Sequence, residues 1–149
     1  MRVVIQRVKS AAVNVGDGEI ARIGRGFLAL AAFSKTDTED VLQWVARKVA
    51  GLRLFEDGEG KMNLDLAAVQ GELLVVSQFT LYGNCSKGNR PSFERSARAD
   101  HAEVLYDRFL EILQEQAPCE VKSGAFQEHM EVQLVNDGPV TVILEKEFA

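Results

Sequence analysis

Two short stretches place polar residues at the edge of strongly apolar runs, where a reactive site would open. The apolar run Leu73–Val76 is followed at once by Ser77, Gln78 and, two residues on, Thr80. Hydroxyl and amide groups in a buried strand need hydrogen-bond partners, so we expect a pocket to open here. The second stretch, Asn136–Pro139, joins two β-rich runs and is also typical of a turn. Its Gly-Pro bond is compatible with either peptide isomer, trans being the commoner one.

Side-chain nucleophiles with a recognisable activating motif are missing from the sequence. Ser77 lies outside any GxSxG context, and the chain contains no HExxH pair. His101 and His129 stand alone and are typical of surface residues. Thr80 is a nucleophile candidate by position, but a hydroxyl without a neighbouring base is weak, and a strand-end threonine explains it equally well. We therefore predict catalysis by backbone N–H groups freed where the strand ends, at residues 77–79, which would stabilise an oxyanion.

Apolar spacing predicts a sheet in the N-terminal part of the chain, followed by a helix. Gly16-Asp17-Gly18 marks a hairpin turn, and the continuous apolar run of residues 27–33 predicts a strand buried on both faces. Residues 38–52 then carry apolar side chains at helical spacing and end near a glycine. Residues 72–81 give the clearest strand pattern. These elements would place the first polar stretch at a strand end.

The second half of the chain predicts a loop, a helix and two strands. Residues 82–98 are rich in Gly, Asn and Pro, which favour irregular backbone. A second helix is predicted from Asp100, with Glu103 completing a capping box. Residues 130–136 and 140–146 predict two strands around the Asn-Asp-Gly-Pro turn. The result is an α+β fold with seven or so strands and about two helices covering the sheet.

Length and composition set the class of protein. The 149 residues, 46% of them apolar, are enough for one domain spanning residues 1–149. No apolar run approaches the roughly 20 residues of a membrane span, and the N-terminus enters a strand pattern without a leader-like segment, so we expect a soluble, cytoplasmic protein. Cys85 and Cys119 are isolated and are expected to be free thiols. We expect neither a metal nor a cofactor.

The charge distribution favours a local, not a general, contact with nucleic acid. A formal net charge of -5 argues against sequence-independent binding along a nucleic-acid backbone, which requires a basic surface. However, Lys87, Arg90, Arg95 and Arg98 cluster in the Gly- and Asn-rich loop. This cluster is either a solvated basic loop or a contact for a few phosphates of an RNA.

The two polar stretches together resemble the signatures of one family, the D-aminoacyl-tRNA deacylases. Ser77–Leu81 reads SQFTL, similar to the family motif SQxxL, and Asn136–Thr141 reads NDGPVT, similar to NxGPVT. Further family-like segments are Met1–Val8, Leu54–Leu64 and Arg90–Phe93. The resemblance extends over essentially the whole chain, with its motifs in the family's order.

This resemblance implies a layered β/β/α barrel-like fold, a homodimer and an esterase reaction on aminoacyl-tRNA. The implied reaction releases the D-amino acid from the terminal adenosine of tRNA, and also glycine mischarged on tRNA-Ala, with the ribose 2'-hydroxyl helping to activate water. The catalytic residues that it implies are Ser77, Gln78, Phe79 and Thr80. The protein would need no cofactor, because the RNA supplies the missing group.

The resemblance also implies how chirality is read. In the family the Gly-Pro bond is cis and reaches into the active site of the partner subunit, where its carbonyls exclude an L side chain by steric clash. Arg7 would brace this loop, or else face solvent, and an aromatic and a thioether side chain would line an adenosine pocket, or else belong to the core. The implied substrate-binding residues are Asn136, Gly138, Pro139, Phe126, Met130 and Arg7.

Two other interpretations remain open at the level of sequence. The first is a non-catalytic module that binds the 3' end of tRNA, although the intact motif residues Ser77, Thr80 and Pro139 favour an enzyme. The second is a related deacylase that holds its Gly-Pro bond trans and tolerates some L substrates. The Asn-Asp-Gly-Pro-Val-Thr context and Arg7 favour the cis form.

Overall fold

The computed structural model describes residues 1–147 and shows three α-helices and eight β-strands. The helices are α1 (Glu39–Gly51), α2 (Leu66–Val69) and α3 (Ala99–Gln116). The strands are β1 (Arg2–Val15), β2 (Gly18–Ile23), β3 (Gly26–Ala32), β4 (Phe55–Glu56), β5 (Met62–Leu64), β6 (Glu72–Ser77), β7 (Val121–Ser123) and β8 (Glu131–Glu145). The predicted α+β class is confirmed.

Strand β1 organises the main sheet because it is long enough to pair with three other strands. Its first half pairs antiparallel with β3, and its second half continues into a hairpin with β2. Gly16 makes the hairpin turn with φ +58, which confirms the predicted turn. Strand β8 runs antiparallel along the other edge of β1 over nearly its whole length. The resulting sheet curves into a nearly closed, barrel-like layer.

Two parallel pairings extend the sheet toward the candidate site. Strand β6 lies parallel to β3, and β7 lies parallel to β6, giving the order β2-β1-β3-β6-β7. Strand β3 is almost entirely buried, as its apolar run predicts, because the helices cover one face and the curved sheet closes over the other. The parallel arrangement makes β3 and β6 end at the same edge of the sheet.

The two long helices cover the sheet with the apolar stripes that the sequence predicts. Helix α1 buries Val41, Leu42, Val45 and Val49, and α3 packs against it. Helix α3 begins at Ala99 with Arg98 in the N-cap position, which has no side-chain cap. The predicted capping box is therefore wrong, since the Asp100 carboxylate accepts from the neighbouring amide of His101 instead. No helix within residues 1–147 is both long and apolar enough to cross a membrane.

Two of the predicted strand boundaries are wrong, and both corrections concern the motifs. The strand predicted for residues 72–81 ends at Ser77, and Phe79–Tyr82 form a 3-10 turn. The two strands predicted around residues 136–139 are one continuous strand, β8. Its register against β1 shifts on either side of Val8, so the Asn-Asp-Gly-Pro segment is an irregularity within a strand, not a reversal of the chain.

Candidate functional site

A cleft of about 780 Å³ opens where β3 and β6 end. Its walls are largely apolar and come from the ends of both strands, the start of α3 and the segment before β8. The apolar lining consists of Ala31, Ala32, Phe33, Val76, Phe79, Phe93, Ala97, Ala99, Ala102, Phe126, Met130 and Val132. An apolar, concave site of this volume is typical of a small-molecule or nucleoside pocket.

The backbone at the end of β6 provides hydrogen-bond donors at this cleft. The Gln78 amide donates to the Ala31 carbonyl at 2.7 Å, which is the last contact between β6 and β3. The Phe79 and Thr80 amides open the 3-10 turn, where a helical N–H has no acceptor within its own turn. Within residues 1–147 neither of these two amides has a hydrogen-bond acceptor. They are free to bind an oxyanion.

This geometry corrects part of the prediction for the strand end. Because its N–H is used by the sheet, the Gln78 backbone is not a donor to substrate. The Gln78 side chain instead donates from Nε2 to the Thr80 hydroxyl. Ser77 and Phe79 line the cleft, and the exposed Thr80 follows directly after Phe79, at the edge of the cleft. Phe79, within the predicted residues 77–79, therefore provides one free amide, and Thr80, just beyond them, provides the other.

Side-chain bases are scarce around the cleft. His129 and Glu128 lie at its exposed rim, and the hydroxyl of Thr80 has only the Gln78 amide as a partner among the described residues. His101 is exposed in the first turn of α3, as expected. Within residues 1–147 no three side chains of the metal-ligating types lie together. The arrangement can polarise a carbonyl through its backbone, without a buried acid or base.

Helix α3 fixes the far wall of the cleft through Tyr106. The Tyr106 hydroxyl lies 3.3 Å from both the Val75 and the Gly124 carbonyls and donates toward them. Burial raises the pKa of Tyr106 to about 12, so its hydroxyl stays a neutral donor at any ordinary pH. Its ring also packs on Phe126, with centroids 5.6 Å apart. A Cβ at Gly124 would lie 2.7 Å from the Met130 sulfur, so a larger residue there would displace the Met130 side chain.

The second motif lies away from the cleft of its own chain. Asn136, Gly138, Pro139 and Arg7 do not line it. The Asn136 side chain closes the irregular segment of β8, since its Oδ1 accepts from the Val140 amide at 2.8 Å. The Gly138-Pro139 peptide is cis, and both residues are exposed. The segment therefore presents its Gly-Pro backbone outward.

Arg7 holds this segment from the interior side. It is only 6% exposed, so of the two roles left open by the sequence the solvent-facing one is wrong. Its Nε donates to the Asp137 carbonyl at 2.9 Å, and its Nη1 donates to the Leu54 carbonyl at 2.7 Å. A Cβ at Gly138 would approach Arg7 Nη2 to 3.2 Å, and Gly138 has φ +139. A side chain at position 138 would therefore crowd the Arg7 guanidinium and would also need a backbone conformation that favours glycine.

The basic loop contributes two residues, Phe93 and Arg98, that the sequence analysis did not assign to the cleft. Phe93 packs edge-on against Phe79, with ring centroids 5.2 Å apart, and Arg98 lies at the mouth of the cleft. The family-like segment Arg90–Phe93 could have identified Phe93. Apolar periodicity could not, because an irregular loop has no repeating pattern of buried positions. This loop therefore forms one side of the site.

Comparison with known proteins places the whole site in a family. A model of the D-Tyr-tRNA(Tyr) deacylase family matches residues 4–145. The chain belongs to this family. A D-aminoacyl-tRNA deacylase of Chlorobaculum tepidum is 52% identical over 145 residues, which cover 97% of each chain. The D-aminoacyl-tRNA deacylase of Petrotoga mobilis is 49% identical over 147 residues, covering 99% of this chain and 98% of the relative.

Solved structures show the same fold for this family member. A structure titled c-Myc DNA unwinding element binding protein has a TM-score of 0.93 and 42% identity, covering 99% of this chain and all of the other. A structure described as a probable eukaryotic D-amino acid tRNA deacylase matches with a TM-score of 0.80 over 96% of this chain. At 22% identity this second match concerns the fold alone.

We predict that Arg7→Met destabilises the protein. Loss of the guanidinium leaves the buried Leu54 carbonyl and the Asp137 carbonyl without donors, which costs about 1–3 kcal/mol for each group left unpaired. Denaturant unfolding monitored by circular dichroism measures this change. Arg22→Met is the matched control, because Arg22 pairs with Glu19 on the surface, and it should leave the unfolding midpoint nearly unchanged. Equal midpoints for the two variants would contradict the bracing role.

Proposed function

We propose that this protein hydrolyses the ester bond of D-aminoacyl-tRNA, and of glycine mischarged on tRNA-Ala, to free amino acid and tRNA. The free Phe79 and Thr80 amides at the mouth of an apolar cleft carry this proposal, because they suit the oxyanion of an acyl-transfer reaction. The family membership and relatives at about half identity over nearly the whole chain support the same substrate class.

In the proposed reaction, the two amides bind the carbonyl oxygen of the ester. Water attacks the carbonyl carbon, the negative charge that develops on the carbonyl oxygen is stabilised by Phe79 and Thr80, and the bond to the ribose 3'-oxygen then breaks. The ribose 2'-hydroxyl orients and helps to activate the water, and the leaving 3'-oxygen takes up the proton that the attacking water gives up. The protein contributes fixed dipoles, which need no reorganisation during the reaction.

The cleft would hold the terminal adenosine of the tRNA. Phe126 and Met130 offer an aromatic face and a polarisable thioether to a purine. The hydrogen bond from the Tyr106 hydroxyl to the Gly124 carbonyl holds this wall in place.

The Gly138-Pro139 backbone would select chirality from a second copy of the chain in a homodimer. Both residues are exposed and do not line their own cleft, while Asn136 and Arg7 hold them in a fixed conformation. A rigid backbone edge placed against the amino-acid Cα would exclude an L side chain by clash and admit D-amino acids and glycine. Rejection of an L-aminoacyl-tRNA would then not depend on which side chain the amino acid carries.

Release of D-Tyr, L-Tyr and Gly from charged tRNA tests the proposed function. We expect rapid release of D-Tyr and Gly and almost none of L-Tyr, because only the L side chain meets the Gly-Pro edge. Thin-layer separation of radiolabelled amino acid measures each rate. Release of L-Tyr at a comparable rate would instead indicate the deacylase of relaxed chirality. Binding of tRNA without any release would indicate the non-catalytic module.

We predict that Thr80→Ala and His129→Ala each retain hydrolysis of D-Tyr-tRNA within about tenfold of the unmodified protein. The Thr80 hydroxyl has no base as a partner, and His129 lies at the exposed rim. Single-turnover rates measure the effect. As the companion measurement, D-Tyr-tRNA ending in 2'-deoxyadenosine should react far more slowly. A loss of several orders of magnitude in either folded variant would restore side-chain catalysis.

We predict that two inactive variants recover activity when mixed. Gly138→Ala places a Cβ 2.8 Å from Val140 Cγ2 and displaces the Gly-Pro edge. Because that edge is also a wall of the proposed amino-acid pocket, its displacement should abolish turnover of D-Tyr-tRNA as well. Phe126→Ala with Met130→Ala removes the purine wall. If the edge acts on the partner's cleft, a mixed dimer holds one intact site, so co-refolded chains should recover roughly a quarter of normal activity. No recovery in a verified mixed dimer, or full activity in a sedimenting monomer, would overturn the dimeric site.

A further inference from the structure

A small hairpin next to the cleft has no role in the proposed chemistry. Its base is closed by Asn84 and Ser92, whose amides and carbonyls bond to each other at 2.7 and 2.9 Å. Residues 85–91 lie beyond this pair and are all exposed. Between Gly83 and Ala99 the chain carries four cationic side chains and one carboxylate, although the whole protein has a net charge of -5. We call residues 84–92 the basic hairpin.

The cations of this region divide into two groups. Arg95 pairs with Glu147 and stacks over the Tyr82 ring, so it has a structural role. Lys87 and Arg90 are exposed, and within residues 1–147 neither has a carboxylate partner. Arg98, whose side chain is 90% exposed, reaches Asp100 only at 3.8 Å and lies at the cleft mouth. Three cations are thus available to an anionic partner.

The basic hairpin is attached to the turn that carries the free amides. Phe93, directly after the closing pair, packs on Phe79, and its ring lies against Gly83 at the end of the 3-10 turn. Arg98 continues the same segment into the cleft. From the closing pair, four residues of chain reach at most about 14 Å, so Lys87 and Arg90 lie no further than that from the base of the hairpin, which adjoins the cleft residue Phe93. A chain of phosphates leaving the cleft would meet Arg98 first and the tip afterwards.

We propose that the basic hairpin binds backbone phosphates of the nucleotides that precede the terminal adenosine of the tRNA. The inference rests on the proposed function, since it takes the direction of the RNA from the adenosine in the cleft. Phosphate contacts from Lys87 and Arg90 position the RNA without reading its sequence. They also offset the repulsion between RNA and a protein of net negative charge, by attracting the substrate to one place on the surface.

The test compares two substrates that share the reacting ester. One is D-Tyr-tRNA, and the other is D-Tyr esterified to adenosine alone, which has no phosphates. The variant combines Lys87→Gln with Arg90→Gln. The matched control combines Arg47→Gln with Lys61→Gln, because both side chains are exposed, change the net charge equally and lie outside the cleft and the basic hairpin. Values of kcat/KM are measured from low to moderate salt.

We expect the hairpin variant to lose about tenfold in kcat/KM on D-Tyr-tRNA at low salt, through KM, and to keep its rate on the adenosine ester. Loss of two phosphate contacts should also flatten the slope of log kcat/KM against log salt by about 1.4 to 1.8. The control variant should match the unmodified protein. Equal losses on both substrates, or an unchanged salt slope on tRNA, would overturn the proposal.

Binding of uncharged tRNA, followed by fluorescence anisotropy, separates this proposal from the proposed function. If the unmodified protein hydrolyses neither ester, the deacylase proposal fails, while weaker tRNA binding by the hairpin variant alone would still support the phosphate contact. If both esters are hydrolysed and all three proteins bind tRNA with the same affinity and salt dependence, the deacylase stands and the hairpin contact is overturned.

Discussion

The hydrogen bond from the Gln78 amide to the Ala31 carbonyl is the contact on which the candidate site depends. At 2.7 Å it is the last backbone hydrogen bond of the parallel pairing between β3 and β6. Because it uses the Gln78 donor and anchors the chain there, the 3-10 turn begins at the next residue and leaves two successive amides without acceptors. The buried strands beneath it, with Leu73, Leu74 and Val75 fully buried, keep this end of the sheet rigid.

Rigidity matters here because backbone dipoles act only if they already point at the reacting atom. A side-chain base can rotate into place, whereas an amide is fixed by the elements on either side of it. Phe126 forms part of another wall, and Tyr106 behind it packs on the Phe126 ring and donates toward the Val75 and Gly124 carbonyls. The cleft is therefore preorganised on both sides, and in the proposed reaction the ribose 2'-hydroxyl of the RNA supplies the remaining group.

The long strand β1 connects this cleft to the second motif. It pairs with β3 on one edge and with β8 on the other, and Arg7 on β1 reaches the backbone of both Leu54 and Asp137. A buried guanidinium is expensive unless its donors are used, so the hydrogen bond from Arg7 to the Asp137 carbonyl holds the irregular part of β8 in one position. The Gly-Pro edge faces outward, which fits the proposed action on a second copy.

The buried strand β3, the first hairpin turn, helix α1 and the α+β class could all be predicted from the amino-acid sequence, because each depends on local spacing or on a glycine. The sequence also singled out both motifs and the isolated basic cluster. The tertiary structure alone decided which amides are free, since the acceptor for Gln78 is a carbonyl 47 positions earlier in the chain. Likewise, β8 runs through Gly138 and Pro139 because β1 lies beside it and Asn136 closes the irregularity. Local sequence patterns indicate which secondary structure a segment prefers. A hydrogen-bond partner from a distant part of the chain determines which backbone groups of that segment remain free for chemistry.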